Sequence, residues 1–217
     1  MKPETIPPPE HFDSAVRTWR PLAEARELWR YRHLVRELVS RDLTVRYKRS
    51  LLGVGWTLLG PLLQMAALTV ALAALMKAQI ANYPVYFLAG SLIWTFFAQA
   101  TGHMANLTND ALELSKRVYL PRSAFVASAL GVALVNLTLG IIPLFLIALA
   151  TGRTPGPTWL FLPVSIAIGA AFTAGVGLVV FTLACRFVDV RETYLVLLQP
   201  WFFVTPIIYP REVVPEE

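Results

Sequence analysis

Between Asp42 and Asp110 the chain carries no acidic residue, and between Glu113 and Asp189 it carries none again. Inside these stretches lie apolar runs of about 20 residues separated by short charged segments, the pattern of helices that cross a bilayer one after another. A soluble domain holds about a quarter charged residues. This chain of 217 residues holds 15% charged and 56% hydrophobic. Its formal net charge of +5 sits in the segments between runs, where Lys and Arg orient spans and meet anionic headgroups. Nucleic acid is not implied. Cys185 is the only cysteine, which excludes an internal disulfide and a thiolate metal cluster.

Residues 1–27 are polar and Pro-rich and contain no apolar signal core, so they read as a loose cytoplasmic tail. From Leu28 a stripe begins. Leu28, Tyr31, Leu34, Val35, Leu38 and Val39 share one helical face, and Arg30, Arg36, Glu37 and Arg41 lie off it. This predicts an amphipathic helix in the membrane interface. Asp42 and Arg46 then fall on the apolar face. Asp42 is read as the cap of a second short helix, 42–50, set at an angle to the first. One continuous helix with an Asp42–Arg46 pair is the alternative.

Five apolar segments follow, at about 51–76, 84–107, 123–151, 159–185 and 193–209. Gly53, Gly55 and the Gly60–Pro61 pair make the first bendable, and Pro200 and Pro206 interrupt the last. Arg153–Pro157 reads as a tight turn and Arg186–Glu192 as a short charged loop. The expected fold class is all-α: a polytopic helical membrane protein with an N-terminal interfacial amphipathic helix. With the N-terminus in the cytoplasm, sixteen of the nineteen Lys and Arg fall on that side, and only Lys77, Arg153 and Arg211 fall opposite. The positive-inside rule favours that orientation.

The spans offer little chemistry of their own. Coupled carriers use buried carboxylates or broken-helix ion sites, and a membrane phosphotransferase needs clustered acids to hold a metal. Neither pattern is present, nor is a phosphate-binding G-x-x-x-x-G-K-[ST] loop. His103, the only histidine in a span, reads as a helix-end polar residue. No catalytic residue or metal site is expected. What remains is a channel or carrier wall driven by a partner at a cytoplasmic surface. The polar, helically patterned segment 110–121 mixes apolar and charged faces and is the best candidate for that surface. Gly169, Thr173 and Gly177, with Ala98 and Gly102, form small-residue seams that let helices approach closely. The aromatics Trp56, Trp94, Phe96, Phe97, Trp201, Phe202 and Phe203 suit interfacial belts, or a path on which rings stack against sugars.

The stretch RDLTVRYKRSLLGVGWTLLGPLLQM, from Arg41, resembles the permease subunits of type-2 ABC transporters that export O-antigen, teichoic acid and similar lipid-linked glycans. The family pattern is matched at Arg41, Asp42, Leu43, Val45, Arg46, Tyr47, Lys48, Ser50, Leu52, Gly53, Trp56, Leu58, Leu59, Pro61 and Leu62. SKRVYLPRSAF and RFVDVRETYLVLLQPWFFVTPIIYP resemble later family segments, so the likeness covers about residues 28–215.

The resemblance implies a homodimer in the bacterial inner membrane with two copies of a separate P-loop ATPase, which would bind the ATP and magnesium. Residues 28–50 would form the elbow and gate helices, with Asp42, Arg46, Tyr47 and Arg49 at the gate. Within a transmembrane domain of 51–217, residues 110–121 would be the coupling helix, with Asp110, Glu113, Leu114, Lys116, Arg117, Tyr119 and Leu120 facing the ATPase. Trp56, Gln64, Trp201 and Phe202 would face the channel and its glycan. The family normally has six spans, and five are visible here, so a C-terminal truncation is expected. A type-2 permease for a drug or lipid, and a membrane enzyme of glycan assembly, are the competing readings.

Overall fold

The computed structural model describes residues 29–48, 50, 53, 55–76, 83–107, 122–152 and 156–209. Among these the regular structure is entirely helical: α1 (Arg32–Tyr47), α2 (Gly55–Met76), α3 (Tyr83–Asn106), α4 (Arg122–Ala150), a 3-10 turn (Pro157–Phe161), α5 (Leu162–Arg186) and α6 (Val188–Val204). The helix boundaries follow local chemistry. Ser50 Oγ accepts the Gly53 N–H at 3.0 Å, and Gly53 adopts φ +49°, closing a tight turn between α1 and α2. Pro84 and Pro163 stand in the first turns of α3 and α5, where a missing N–H costs nothing. Gly152, at φ +77°, ends α4 by donating to Leu149 O at 3.0 Å. Thr205 is extended because Pro206 follows it, and α6 stops there.

The helices form one bundle around α3, which touches α2, α4, α5 and α6. Twelve of its 24 residues are buried, against five of 25 in α5, so α3 is the central post and α5 belongs to the rim. Leu88, Leu92, Phe96, Ala100 and Met104 of α3 pack against Phe125, Ala129, Ala133 and Leu137 of α4 and Phe181 of α5. Close approach depends on glycine. A Cβ at Gly140 would meet Leu92, and one at Gly177 would meet Met104 Sδ. The Thr173–Gly177 part of the expected seam is therefore real packing, whereas Gly169 has nothing within 4 Å of its Cβ direction.

Ser123–Ala150 and Trp159–Arg186 are long and apolar enough to cross a membrane, and Gly55–Ala71 is a shorter apolar helix. Ile142, Leu146, Ile168, Phe172 and Val179 are exposed on the outside of the bundle, as hydrocarbon-facing side chains must be. Hydroxyls in the spans turn back on their own helices: Thr69 donates to Met65 O, Thr101 to Phe97 O and Thr182 to Leu178 O. Such back-bonding satisfies a polar group where water is absent.

Two expectations need correction. Residues 42–50 do not form a separate capped helix; α1 continues unbroken through Asp42 to Tyr47. Asp42 spends its carboxylate on Arg41 and faces His103, so it does not cap its own backbone, and the Asp42–Arg46 pair of the continuous alternative is not its contact either. Residues 186–192 are not a loop. Phe187 alone is extended, at φ −131° and ψ 116°, and α6 begins at the next residue with Asp189 in its first turn, favourable to the helix dipole. The half-buried face of α1 is the expected one (Leu34, Val35, Leu38, Val39). It rests on α4, where Val39 lies 2.8 Å from the Cβ position of Gly131.

Gly177→Val should lower the thermal unfolding midpoint in detergent, by an overpacking cost of about 1–3 kcal/mol. Adding Met104→Ala should recover part of the loss, and Gly169→Val should leave the midpoint unchanged.

Candidate functional site

One side of α3 is polar at helical spacing: Ser91, Thr95, Gln99 and His103 recur every fourth residue, with Asn106 beyond. Three cavities open along this side. The largest, about 670 Å³, lies between α1 and the Asn106 end of α3 and is lined by Arg41, Asp42, Arg46, Gln99, His103 and Asn106, among others. Arg41 Nε and Nη2 donate to Asp42 Oδ1 at 3.1 and 3.0 Å, and His103 Nε2 stands 3.7 Å from Asp42 Oδ2. The carboxylate is thus engaged, and Arg46 supplies donors suited to an anionic oxygen.

The second cavity, about 320 Å³, lies where α1 turns into α2. Arg46, Tyr47, Trp56, Thr57, Thr95 and Gln99 contribute to its wall. Trp56 is 59% exposed, its ring available to a ligand face. Tyr47 Oη donates to Asn136 Oδ1 at 3.0 Å, and Asn136 Nδ2 donates to Gln99 Oε1 at 3.0 Å. This chain ties α1, α4 and α3 together through groups that would otherwise be unsatisfied in hydrocarbon.

The third cavity, about 360 Å³, is farther along α3 and is lined by Gln64, Ser91, Trp94, Thr95, Gln199 and Phe202, among others. Its aromatic wall is interlocked. Trp94 lies 5.9 Å from Trp201 and 5.7 Å from Phe202 between ring centroids, and Phe97 lies 5.5 Å from Trp201. Gln99 lines both of the first two cavities, and Thr95 lines the second and third. Beyond them, Tyr86 Oη reaches Pro206 O at 2.7 Å and Tyr209 O at 3.1 Å, and Tyr83 Oη donates to Ile208 O at 3.1 Å. These phenols hold the segment after α6 to the start of α3.

The residues singled out from the sequence are thus distributed. Asp42, Arg46 and Tyr47 line the first two cavities, Trp56 the second, and Gln64 and Phe202 the third; Trp201 stands behind the third, against Trp94 and Phe97. Arg49 lies outside the described residues. So do all seven positions assigned to ATPase contact: Asp110, Glu113, Leu114, Lys116, Arg117, Tyr119 and Leu120. Sequence reasoning missed the α3 wall. Its signal was the four-residue recurrence from Ser91 to His103, obscured because each polar residue stands among apolar neighbours.

Known proteins resemble this chain over most of its length. The family model described as ABC-2 type transporter matches residues 33–216. A Myxococcus xanthus protein named O-antigen export system permease protein RfbA is 31% identical over 194 residues, spanning 88% of this chain and 74% of that protein. Two Klebsiella pneumoniae proteins of the same name are 32% identical over 184 residues and 29% over 182, each spanning 83% of this chain and 70% of its relative. An all-helical bundle with apolar, bilayer-length helices is the architecture such a family requires, and this chain belongs to the ABC-2 type transporter family, as a membrane permease homologous to O-antigen export permeases.

Proposed function

We propose that this chain is the membrane-spanning subunit of an ATP-driven exporter that moves a lipid-linked cell-surface polysaccharide out across the bacterial inner membrane. The observation that carries the reading is the similarity, at about 30% identity over most of the chain, to three proteins named as O-antigen export permeases. That likeness favours a glycan over a drug or an unglycosylated lipid as cargo. The cavity chemistry suits it. Arg46 offers donors for a phosphate, and Trp56 and the Trp94–Phe202 wall offer ring faces to which pyranose C–H faces adhere.

In this reading two copies assemble with two copies of a separate ATPase, which binds ATP and magnesium, and the N-terminus is cytoplasmic. Residues 110–121, between α3 and α4 in the chain, carry the ATPase contact. Motion there would be delivered to both helices that hold α1: α4 through Gly131 and Asn136, and α3 through His103. The head of the lipid-linked glycan enters beside Arg46 and Tyr47, and the saccharide passes along α3.

Depletion of the protein in its host should make lipid-linked glycan accumulate inside while surface glycan falls, read by fractionation and glycan analysis. Normal surface glycan with no internal build-up would count against polysaccharide as the cargo. Charge reversal at Glu113 or Arg117 should lower transport and stimulated ATPase activity together, with membrane insertion intact by carbonate extraction. Unchanged activity in both variants would remove these two residues from the ATPase contact.

A further inference from the structure

Gln99, like Arg46, lines both cavities at the α1 end of α3, and its carboxamide is oriented by a directed chain. Tyr47 Oη donates to Asn136 Oδ1, which leaves Asn136 Nδ2 to donate to Gln99 Oε1, both at 3.0 Å. A primary amide has one acceptor end and one donor end. With Oε1 held by Asn136, the end that Gln99 offers to an occupant of the cavities is its Nε2 donor. Asn136 is 8% exposed, so the chain is anchored in the bundle and does not compete freely with water. Trp56 and Thr95 share the second cavity with Gln99, placing an exposed indole and a hydroxyl beside that donor. An indole face beside a fixed N–H donor is the arrangement that grips a pyranose: the ring's C–H face lies on the indole and a hydroxyl oxygen accepts the hydrogen bond.

We infer that Gln99 is a sugar-contacting residue of the translocation path, donating from Nε2 to a hydroxyl oxygen of the cargo's saccharide, and that Tyr47 and Asn136 are positioning residues that keep its donor turned outward. The inference rests on the polysaccharide reading and adds the residue by which saccharide is told from bare lipid. Tyr47 closes the loop between the cavity and α1: any movement of the end of α1 that breaks its bond to Asn136 frees both amides to turn, and the site loses its polarity.

The test uses the full chain with its ATPase in nanodiscs and two synthetic probes, a polyprenyl diphosphate carrying a disaccharide and the same polyprenyl diphosphate without sugar. Binding is read by tryptophan fluorescence. The wild type should prefer the glycosylated probe. Gln99→Leu should weaken its binding by about fivefold, the effect of one net hydrogen bond on an equilibrium, while leaving the sugar-free probe unchanged. That second probe also reports that the variant is folded. Tyr47→Phe, which keeps the ring and removes only the hydroxyl, should reduce the sugar preference in the same direction. The paired exchange Gln99→Asn with Asn136→Gln, which keeps an amide pair, should restore part of it. An undiminished preference in Gln99→Leu overturns the inference and leaves the export reading standing. Failure of the wild type to bind either probe overturns both.

Discussion

Helix α3 has to be packed from four sides by other helices, and that requirement governs the rest of the molecule. In lipid the apolar surface of a helix gains little from meeting another, so association depends on close van der Waals contact and a few polar bonds. The chain meets this condition by seating the larger side chains of α3 against glycines of its neighbours: Leu92 at Gly140 and Met104 at Gly177. With α4 and α5 fixed in this way, α2 and α6 also pack on α3, and α1 reaches it where Asp42 faces His103. Thr95, Gln99 and His103 continue the stripe of α3 that begins at Leu92, and the cavities open along it where residues of α1, α2 and α6 complete their walls.

Polar groups inside such a bundle need internal partners, and two kinds of solution appear. Ser91, Thr101 and Ser128 are buried and each returns its hydroxyl to a carbonyl of its own helix, which asks nothing of neighbouring elements. Gln99 and Asn136 cannot do this with both ends of their amides, and so they pair across helices and recruit Tyr47. The first solution stabilises single helices. The second couples three elements, and it does so next to the Ser50–Gly53 turn, where the chain changes direction between α1 and α2. A polar network placed at a turn ties the geometry of α1 to the walls of the cavities, which a purely apolar contact would do with less angular specificity.

Much of this was legible from charge alone. The acid-free stretches located the helices to within a few residues, since α3 and α4 run Tyr83–Asn106 and Arg122–Ala150 against expected segments of 84–107 and 123–151. What misled was judging charged residues only against their own helix. Asp42 looked like a cap because it broke the stripe of α1, yet its partners are Arg41 and, across the interface, His103. Arg186–Glu192 looked like a loop because it is charged, yet charge is compatible with helix outside the hydrocarbon. A single extended residue at Phe187 suffices to separate α5 from α6. The polar spacing on α3 was present in the sequence, but a residue's side in a bundle is set by which neighbours arrive, and those come from remote parts of the chain.

Helix α6 shows how the path's aromatic wall is held. Its 17 residues make a rod about 26 Å long, bounded by extended residues at both ends, Phe187 and Thr205. A short rod hinged at each end would be free to tilt, and Pro200 inside it removes one backbone donor. Contacts with α3 restrain it along its length. Leu195 packs 3.3 Å from the Cβ position of Gly102, Trp201 and Phe202 interlock with Trp94 and Phe97, and Ile207 is buried with Tyr83 and Phe87. The phenols of Tyr83 and Tyr86 then hold the carbonyls beyond the rod's end. The position of the aromatic wall is therefore fixed by α3 rather than by α6 itself. The same helix that carries the hydrogen-bonding residues also holds the rings, so the two kinds of surface that line the cavities keep a constant relation, and α1 is joined to it through Tyr47 and Asn136.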